Sequence, residues 1–303
     1  MEQLKNYQEY ISPIPEFLNK YLELDILQRL KGISFFCGMD YASKNIYDFK
    51  FYVSRYDHSL SVALIVWRLT HDKKATLAGL FHDVSTPVFS HVIDYMNGDY
   101  VNQESTEEYT EKILASSSKL QECLAEDGIS LSEISDFKQY SVVDLDRPKM
   151  CADRLDGTLT AGMSWIKVVD LQSAIKVIGD TTITLNEDGE KEISFTNYDT
   201  AAYVSYVNDQ INQMTHTKED MYMMILLSRI VKRCLELGII TYDDLYVLQE
   251  DDIVRVIEEN TNGDTVLGGL WSEFKTIKKV EQKMDVTVKQ KTLRPLVGSF
   301  RLN

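Results

Sequence analysis

No run of about 18 apolar residues occurs in the 303-residue chain, so no stretch has the composition of a membrane-spanning helix. The opening Met1-Glu2-Gln3-Leu4-Lys5-Asn6-Tyr7-Gln8-Glu9-Tyr10 also lacks the apolar core of a signal peptide. Cysteine is scarce. The four residues Cys37, Cys123, Cys151 and Cys234 share no metal-type spacing, and they read as free thiols of a reducing compartment. The expected location is therefore the cytoplasm. Positive charge is short as well, with 32 basic against 47 acidic side chains and a net charge of −15. Such a surface repels phosphates over a Debye length and argues against a broad nucleic-acid-binding face. It does not exclude a small phosphorylated substrate, because a metal ion and a few local cations can dominate one cleft. No internal repeat, low-complexity tract or clear linker is visible.

What the chain has is helical periodicity. Tyr21–Leu30 carries apolar residues at helix spacing and runs out at Gly32. Val88–Met96 reads as a short helix stopped by Asn97-Gly98, and Ser105-Thr106-Glu107-Glu108 and Ser130-Leu131-Ser132-Glu133 read as capping boxes. Further helices are expected over about Thr200–Met214, Lys218–Leu237, Thr241–Leu248 and Asp251–Glu259. One β signal stands out: two alternating runs within 182–195, joined by a turn that contains Gly189. The last segment, 286–303, carries Lys289, Lys291, Arg294 and Arg301 and no acid. It could pair with an acidic face, a partner subunit or a nucleotide, or fray as a tail. Trp67, Trp165 and Trp271 are expected in the core, and His71 and His216 at the surface.

The most informative pair is His82-Asp83. Consecutive residues on a helix point about 100° apart, so both can reach one cation only where the helix stops. The flanks fit, since Lys73–Phe81 is helical in pattern and Pro87 marks a break soon after. Upstream, His58 opens the apolar helix that runs to Leu69. Downstream, Pro148–Asp156 reads as a helix with Pro148 in its first turn and Asp153 among apolar neighbours. His58, His82, Asp83 and Asp153 supply two imidazoles and two carboxylates. That set suits one divalent ion (Mn, Fe, Mg, Zn or Ni) with positions left open for water and a phosphate oxygen.

The order His58…His82-Asp83…Asp153 resembles the HD superfamily of metal-dependent phosphohydrolases. The longer pattern, Arg55-x-x-His58-Ser59-Leu60 and then His82-Asp83-x-x-x-Pro87-x-Phe89-Ser90-His91-x-x-Asp94, is similar to the deoxynucleoside triphosphate triphosphohydrolase branch. The similarity covers about residues 50–165. The resemblance implies that Arg55 binds substrate phosphate, the alternative being a surface arginine paired with an acid. It also implies that His91 faces the substrate and that Asp94, at i+3, orients it. Departures are plain. Ser85 and Thr86 replace the glycine and histidine of the family loop, Gln103-Glu104 stands where another histidine is usual, and Gly157 and Ala161 replace a tyrosine and an aspartate. Glu104 could take over as general acid or base, or could be a solvated glutamate at a helix start. Asp57 and Asp156 flank ligands and could support them or simply be exposed.

The expected fold is all-α: an HD-domain helical core in residues 1–165, whose ligand-bearing part is about 50–165. A small β-hairpin insertion and a helical C-terminal extension in 166–303 pack on it. The expected function is hydrolysis of a nucleotide, dNTP included, or another small phosphate ester by a metal-activated water. The alternatives are a catalytically weakened metal- or nucleotide-binding regulatory module, and an HD-type phosphodiesterase on a signalling nucleotide. The partners expected are a small phosphorylated substrate and no membrane, with a homo-oligomer left open.

Overall fold

The structure, a computed structural model, describes residues 2–98, 109–281 and 290–302. The capping box expected at 105–108, together with Gln103, Glu104 and Lys289, lies outside those residues. Twelve principal helices lie in the described parts: α1 (Glu2–Ile11), α2 (Arg55–Thr70), α3 (Lys73–Phe81), α4 (Val92–Met96), α5 (Thr110–Ser116), α6 (Ser118–Asp127), α7 (Ala152–Ala161), α8 (Leu171–Gly179), α9 (Tyr198–Thr215), α10 (Lys218–Glu236), α11 (Glu250–Asn260) and α12 (Thr265–Thr276).

The centre of the molecule is α2, packed against α3 on one side and α7 on the other. Its sequence explains the position. Leu60, Val62, Ala63, Leu64, Ile65 and Val66 are all buried, so the helix is apolar around most of its circumference rather than along one stripe. Asp57 closes its N-terminus as the third residue of a capping box with Ser54, which is what that acid does instead of standing near the ligands or free in solvent. Helix α3 ends at His82, as the dipeptide argument requires. Gly79 lets α3 approach α2 closely, since a Cβ there would lie 3.3 Å from Val62.

Several sequence expectations are corrected. Tyr21–Leu30 is not one helix but two single turns, Asn19–Leu22 and Asp25–Gln28, followed by a 3₁₀ turn over Arg29–Gly32. Pro148 does not open a helix. Cys151 is the N-cap of α7, so the proline precedes it, in a turn closed by the Lys149 amide on the Asp146 carbonyl at 3.1 Å. Helix α4 begins only at Val92, because Phe89 and Ser90 adopt left-handed backbone at φ 63° and 49°. The segment expected over 241–248 shortens to a turn over Asp244–Val247.

The hairpin is present as β1 (Thr181–Leu185) and β2 (Lys191–Phe195), with Gly189 at φ 78° in its turn. It is half of a larger sheet. The C-terminal segment adds β3 (Leu296–Val297), parallel to β2, and β4 (Phe300–Arg301), antiparallel to β3, in the order β1-β2-β3-β4. Arg301 forks onto Glu187 and the fully buried Glu192, so among the described residues the basic tail pairs with acids of its own chain. The fold is thus mainly helical with one small sheet. Buried side chains from Leu4 to Leu293 form one continuous core.

Candidate metal centre and cavity

His58 from the first turn of α2, His82 and Asp83 from the end of α3, and Asp153 from the first turn of α7 converge on one point. His58 Nε2 lies 2.9 Å from Asp153 Oδ1 and 3.9 Å from Asp83 Oδ2. His82 Nε2 lies 3.6 Å from Asp153 Oδ1 and 3.7 Å from Asp83 Oδ2. Three segments distant in sequence therefore meet in space, with His58, His82 and Asp83 within 4.8 Å of one another and Asp153 beside both imidazoles.

The far side of each ring is fixed. His58 Nδ1 donates to Asp156 Oδ2 at 2.7 Å, and Asp156 is fully buried. His82 Nδ1 donates to the Gly79 carbonyl at 2.7 Å. Both bonds occupy Nδ1 and turn Nε2 to the cluster, the orientation that metal-ligating histidines need once that nitrogen gives up its proton. Asp156 is thus neither surface nor incidental. It stands three residues after Asp153 on one helix face, a spacing that could have been noticed in the sequence. Asp153 is not enclosed by its apolar neighbours, since its side chain keeps 38% of its exposure.

The donor set fits a divalent cation. His82 Nε2 is buried without a hydrogen-bond partner among the described residues, a cost that a cation at the meeting point removes. Without one, the ligands compensate each other. Burial favours neutral His58, but the hydrogen bonds of Asp153 and Asp156 outweigh it and hold the ring up at about 10. Burial would raise Asp83, but Arg55 above all, then His82 and His58, hold it far below the usual carboxylate range. Asp153 also approaches Asp144 and Cys151. That second cluster is a poorer cation site: Arg154 already binds Asp144 at 3.1 Å, and burial pushes the Cys151 thiol up to about 12.

Arg55 donates to Asp83 Oδ2 at 2.9 Å and lies over the Phe35 ring, which also meets the His58 imidazole at 4.8 Å between centroids. Sequence reading missed Phe35. His91 Nδ1 donates to Asp94 Oδ2 at 2.9 Å, and burial lowers its pKa, with the charges of Lys291 and Arg55 adding to the effect. His91 is the residue before α4 rather than part of it, yet it still reaches Asp94. Thr86 donates to Asp83 Oδ1 at 3.3 Å, so it touches a candidate ligand.

The loop after α3 is anchored from a distance. Arg29 donates to the carbonyls of Thr86 and Leu248, and the fully buried Glu250 accepts from the Phe89 amide at 3.3 Å. No local pattern announces either residue, because each acts more than 50 positions away.

Above the cluster opens a cavity of about 380 Å³. Its polar part carries Arg55, His82, Asp83, His91, Asp153 and Lys291, and its aromatic part includes Phe36, Tyr47, Phe49 and Trp165. Phe36 and Phe49 stack at 4.4 Å. Trp165 is only half-buried and lines this cavity, against the expectation of a core residue; Trp271 is buried. Gly157 also lies on the wall, where an added Cβ would meet only the Phe35 ring at 3.6 Å. His71 caps α2 in the left-handed conformation and is exposed, whereas His216 is half-buried and bonded to the Asn212 carbonyl.

The chemistry of the cluster agrees with what the chain resembles. Residues 55–141 match the HD domain family. The span includes Arg55, His58, His82, Asp83 and His91, and ends before Asp153 and Asp156. Over 275 residues the chain is 27% identical to "Uncharacterized protein YdhJ" of Bacillus subtilis (strain 168), a match covering 89% of this chain and 79% of that protein. Over 126 residues it is 29% identical to "Metal-dependent phosphohydrolase cns2" of Cordyceps militaris, covering 42% of this chain and 36% of that protein. Both the HD match and the second relative support placement in the HD superfamily. No helix among the described residues is long and apolar enough to cross a membrane.

Proposed function

We propose that the chain is a metal-dependent phosphohydrolase of the HD type that removes phosphate from a nucleotide, dNTPs included, or from another small phosphate ester. In this reading His58, His82, Asp83 and Asp153 hold one divalent cation. The observation that carries it is the buried Nε2 of His82, which lacks a hydrogen-bond partner among the described residues and faces two carboxylates and a second imidazole at the foot of a cavity. When bound, the cation supplies Lewis acidity to a phosphoryl oxygen and lowers the pKa of a water beside it.

The chain's own groups supply the rest. Asp156 and the Gly79 carbonyl hold the two imidazoles in one tautomer and orientation. Arg55, buried against Phe35 and tied to Asp83, presents its guanidinium to the cavity, where it can bind phosphate as charge spreads over the transferred group. The lowered pKa of His91 favours the neutral ring, and Asp94 accepts the hydrogen bond of its Nδ1 proton. Its Nε2 is then an acceptor that can take a proton from water or orient it. The aromatic part of the cavity favours a substrate with a planar group, which supports a nucleotide over a small sugar phosphate.

The test is elemental analysis of the purified chain together with a phosphate-release screen over nucleotides and phosphomonoesters, with and without a chelator. Chelator-sensitive release is expected. If the metal-loaded protein releases nothing from any of them, a metal-binding regulatory module becomes the better reading. Thr86 and Gly157, which stand where the family has a histidine and a tyrosine, favour that second reading.

A further inference from the structure

The basic C-terminal segment does more than complete the sheet. Just before β3, the chain is gripped at the peptide of Lys291. Its amide donates to Asn212 Oδ1 at 3.1 Å, and its carbonyl accepts from Asn208 at 3.0 Å, Asn212 at 2.8 Å and Arg147 at 2.7 Å. Both asparagines lie on α9, so two side chains of one helix fix this peptide. The segment is thus anchored through its backbone, and the Lys291 side chain lines the cavity beside Arg55, His91 and Arg147.

The electrostatics of that placement favour an anion. The chain carries net charge −15, yet the cavity lining gathers four cations, Arg55, Arg147, Arg154 and Lys291, among the carboxylates of Asp83, Asp144, Asp153 and Asp220. Arg154 is already paired with Asp144. Arg55 is offset by Asp83. Burial lowers Lys291 to about 8, and the charges of Arg147 and Arg55 add to that against the opposing charge of Asp153. The same ammonium and Arg55 also depress His91, so Lys291 is close enough to act on the proposed reaction end of the cavity. Arg147 and Arg55 both act against the Lys291 charge, and an anion placed among these three groups relieves that repulsion.

We infer that Lys291, delivered by the C-terminal segment, is a substrate-phosphate ligand that faces Arg55 across the cavity end and selects a group bearing more than one negative charge. The inference rests on the phosphohydrolase reading for the word substrate; the anion site itself does not. A phosphate dianion or a longer phosphate chain is the chemistry that two cations beside a metal position can take, whereas a monoanionic diester uses only part of it.

The experiment is titration calorimetry of the full, Mn²⁺-loaded chain with inorganic phosphate and pyrophosphate. Lys291→Met is expected to weaken both by about 10–100-fold, the size of one charge-assisted hydrogen bond. Lys291→Arg is expected to restore most of the affinity. Asn212→Ala, which loosens the grip on the peptide, should weaken binding while leaving the ammonium in the chain. Hydrogen exchange should show residues 290–302 protected by phosphate in the native chain and not in Lys291→Met. Phosphate affinity in Lys291→Met equal to the native value, or no phosphate binding by the native chain, overturns the inference. Lys291-dependent binding without release of phosphate from any ester would leave the anion site standing and remove the hydrolase reading instead.

Discussion

His58 donates through Nδ1 to the fully buried carboxylate of Asp156 at 2.7 Å, so a residue that never reaches the cavity decides which nitrogen faces the candidate cation. Asp156→Asn keeps the volume and removes the charge. It also frees the ring to adopt the other tautomer. Manganese affinity is expected to fall by about 10–100-fold in a competition titration. Unchanged affinity with an intact fold would show that Asp156 serves stability alone.

Asp153 offers the complementary case. It sits in the first turn of α7 and is partly exposed to the cavity, so Asp153→Ala opens no void in the core. Elemental analysis should find the metal lost, and far-UV circular dichroism should find helix content nearly unchanged. Full metal occupancy in this variant would remove Asp153 from the ligand set.

The parts of this site that were legible in the sequence are those whose signals are local. A histidine followed by an aspartate at the end of an apolar helix is visible because helix periodicity and a nearby proline mark where α3 must stop. The hairpin is visible because alternation and a glycine turn are short-range signals. What was not legible depends on contacts between distant residues. Arg29 and Glu250 brace the loop that carries His91, Phe35 supports both His58 and Arg55, and Lys291 enters from the far end of the chain. Pro148 misled because a proline is equally at home in a helical first turn and in a turn that precedes a helix. The N-cap geometry of Cys151 decides between them.

Arg55→Ala tests the phosphate role. The guanidinium is buried, bonded to Asp83 and turned to the cavity, so its loss removes a fixed fork rather than a mobile surface charge. The Michaelis constant should rise more for nucleoside triphosphates than for simple phosphomonoesters, by about tenfold or more, given the strength of a charge-assisted hydrogen bond. Equal effects on both classes would leave hydrolysis standing and remove the case for a polyphosphate substrate.

Glu250 makes a prediction about pH. It is fully buried, its Oε2 has no hydrogen-bond partner among the described residues, and burial raises its pKa from 4.5 to about 8. Below pH 4.5 the carboxyl is protonated in both folded and unfolded chains and costs nothing. As pH rises from 4.5 toward 8 only the unfolded chain ionises, so this group progressively withdraws stability. Glu250→Gln should therefore melt at a higher temperature than the native protein at about pH 8, with the gap closing toward about pH 5. A gap independent of pH would mean that Glu250 is ionised in the fold.

Gly157 separates helix stability from substrate size. It lies in the middle of α7 with no requirement for left-handed backbone, and an added Cβ would meet the Phe35 ring at an ordinary 3.6 Å. Replacing a mid-helix glycine by alanine is worth about 0.5–1 kcal/mol. Gly157→Ala should thus raise the melting temperature by about 1–3 °C. Gly157→Leu carries its bulk into the cavity wall between Phe35 and the space that a nucleoside would occupy. Its Michaelis constant for nucleotides should rise while that for a compact phosphomonoester changes little, because only the larger substrate needs that volume. A parallel rise for both would place the nucleoside elsewhere, and a fall in melting temperature for Gly157→Ala would mean that the close approach of Phe35 to α7 is tighter than 3.6 Å implies.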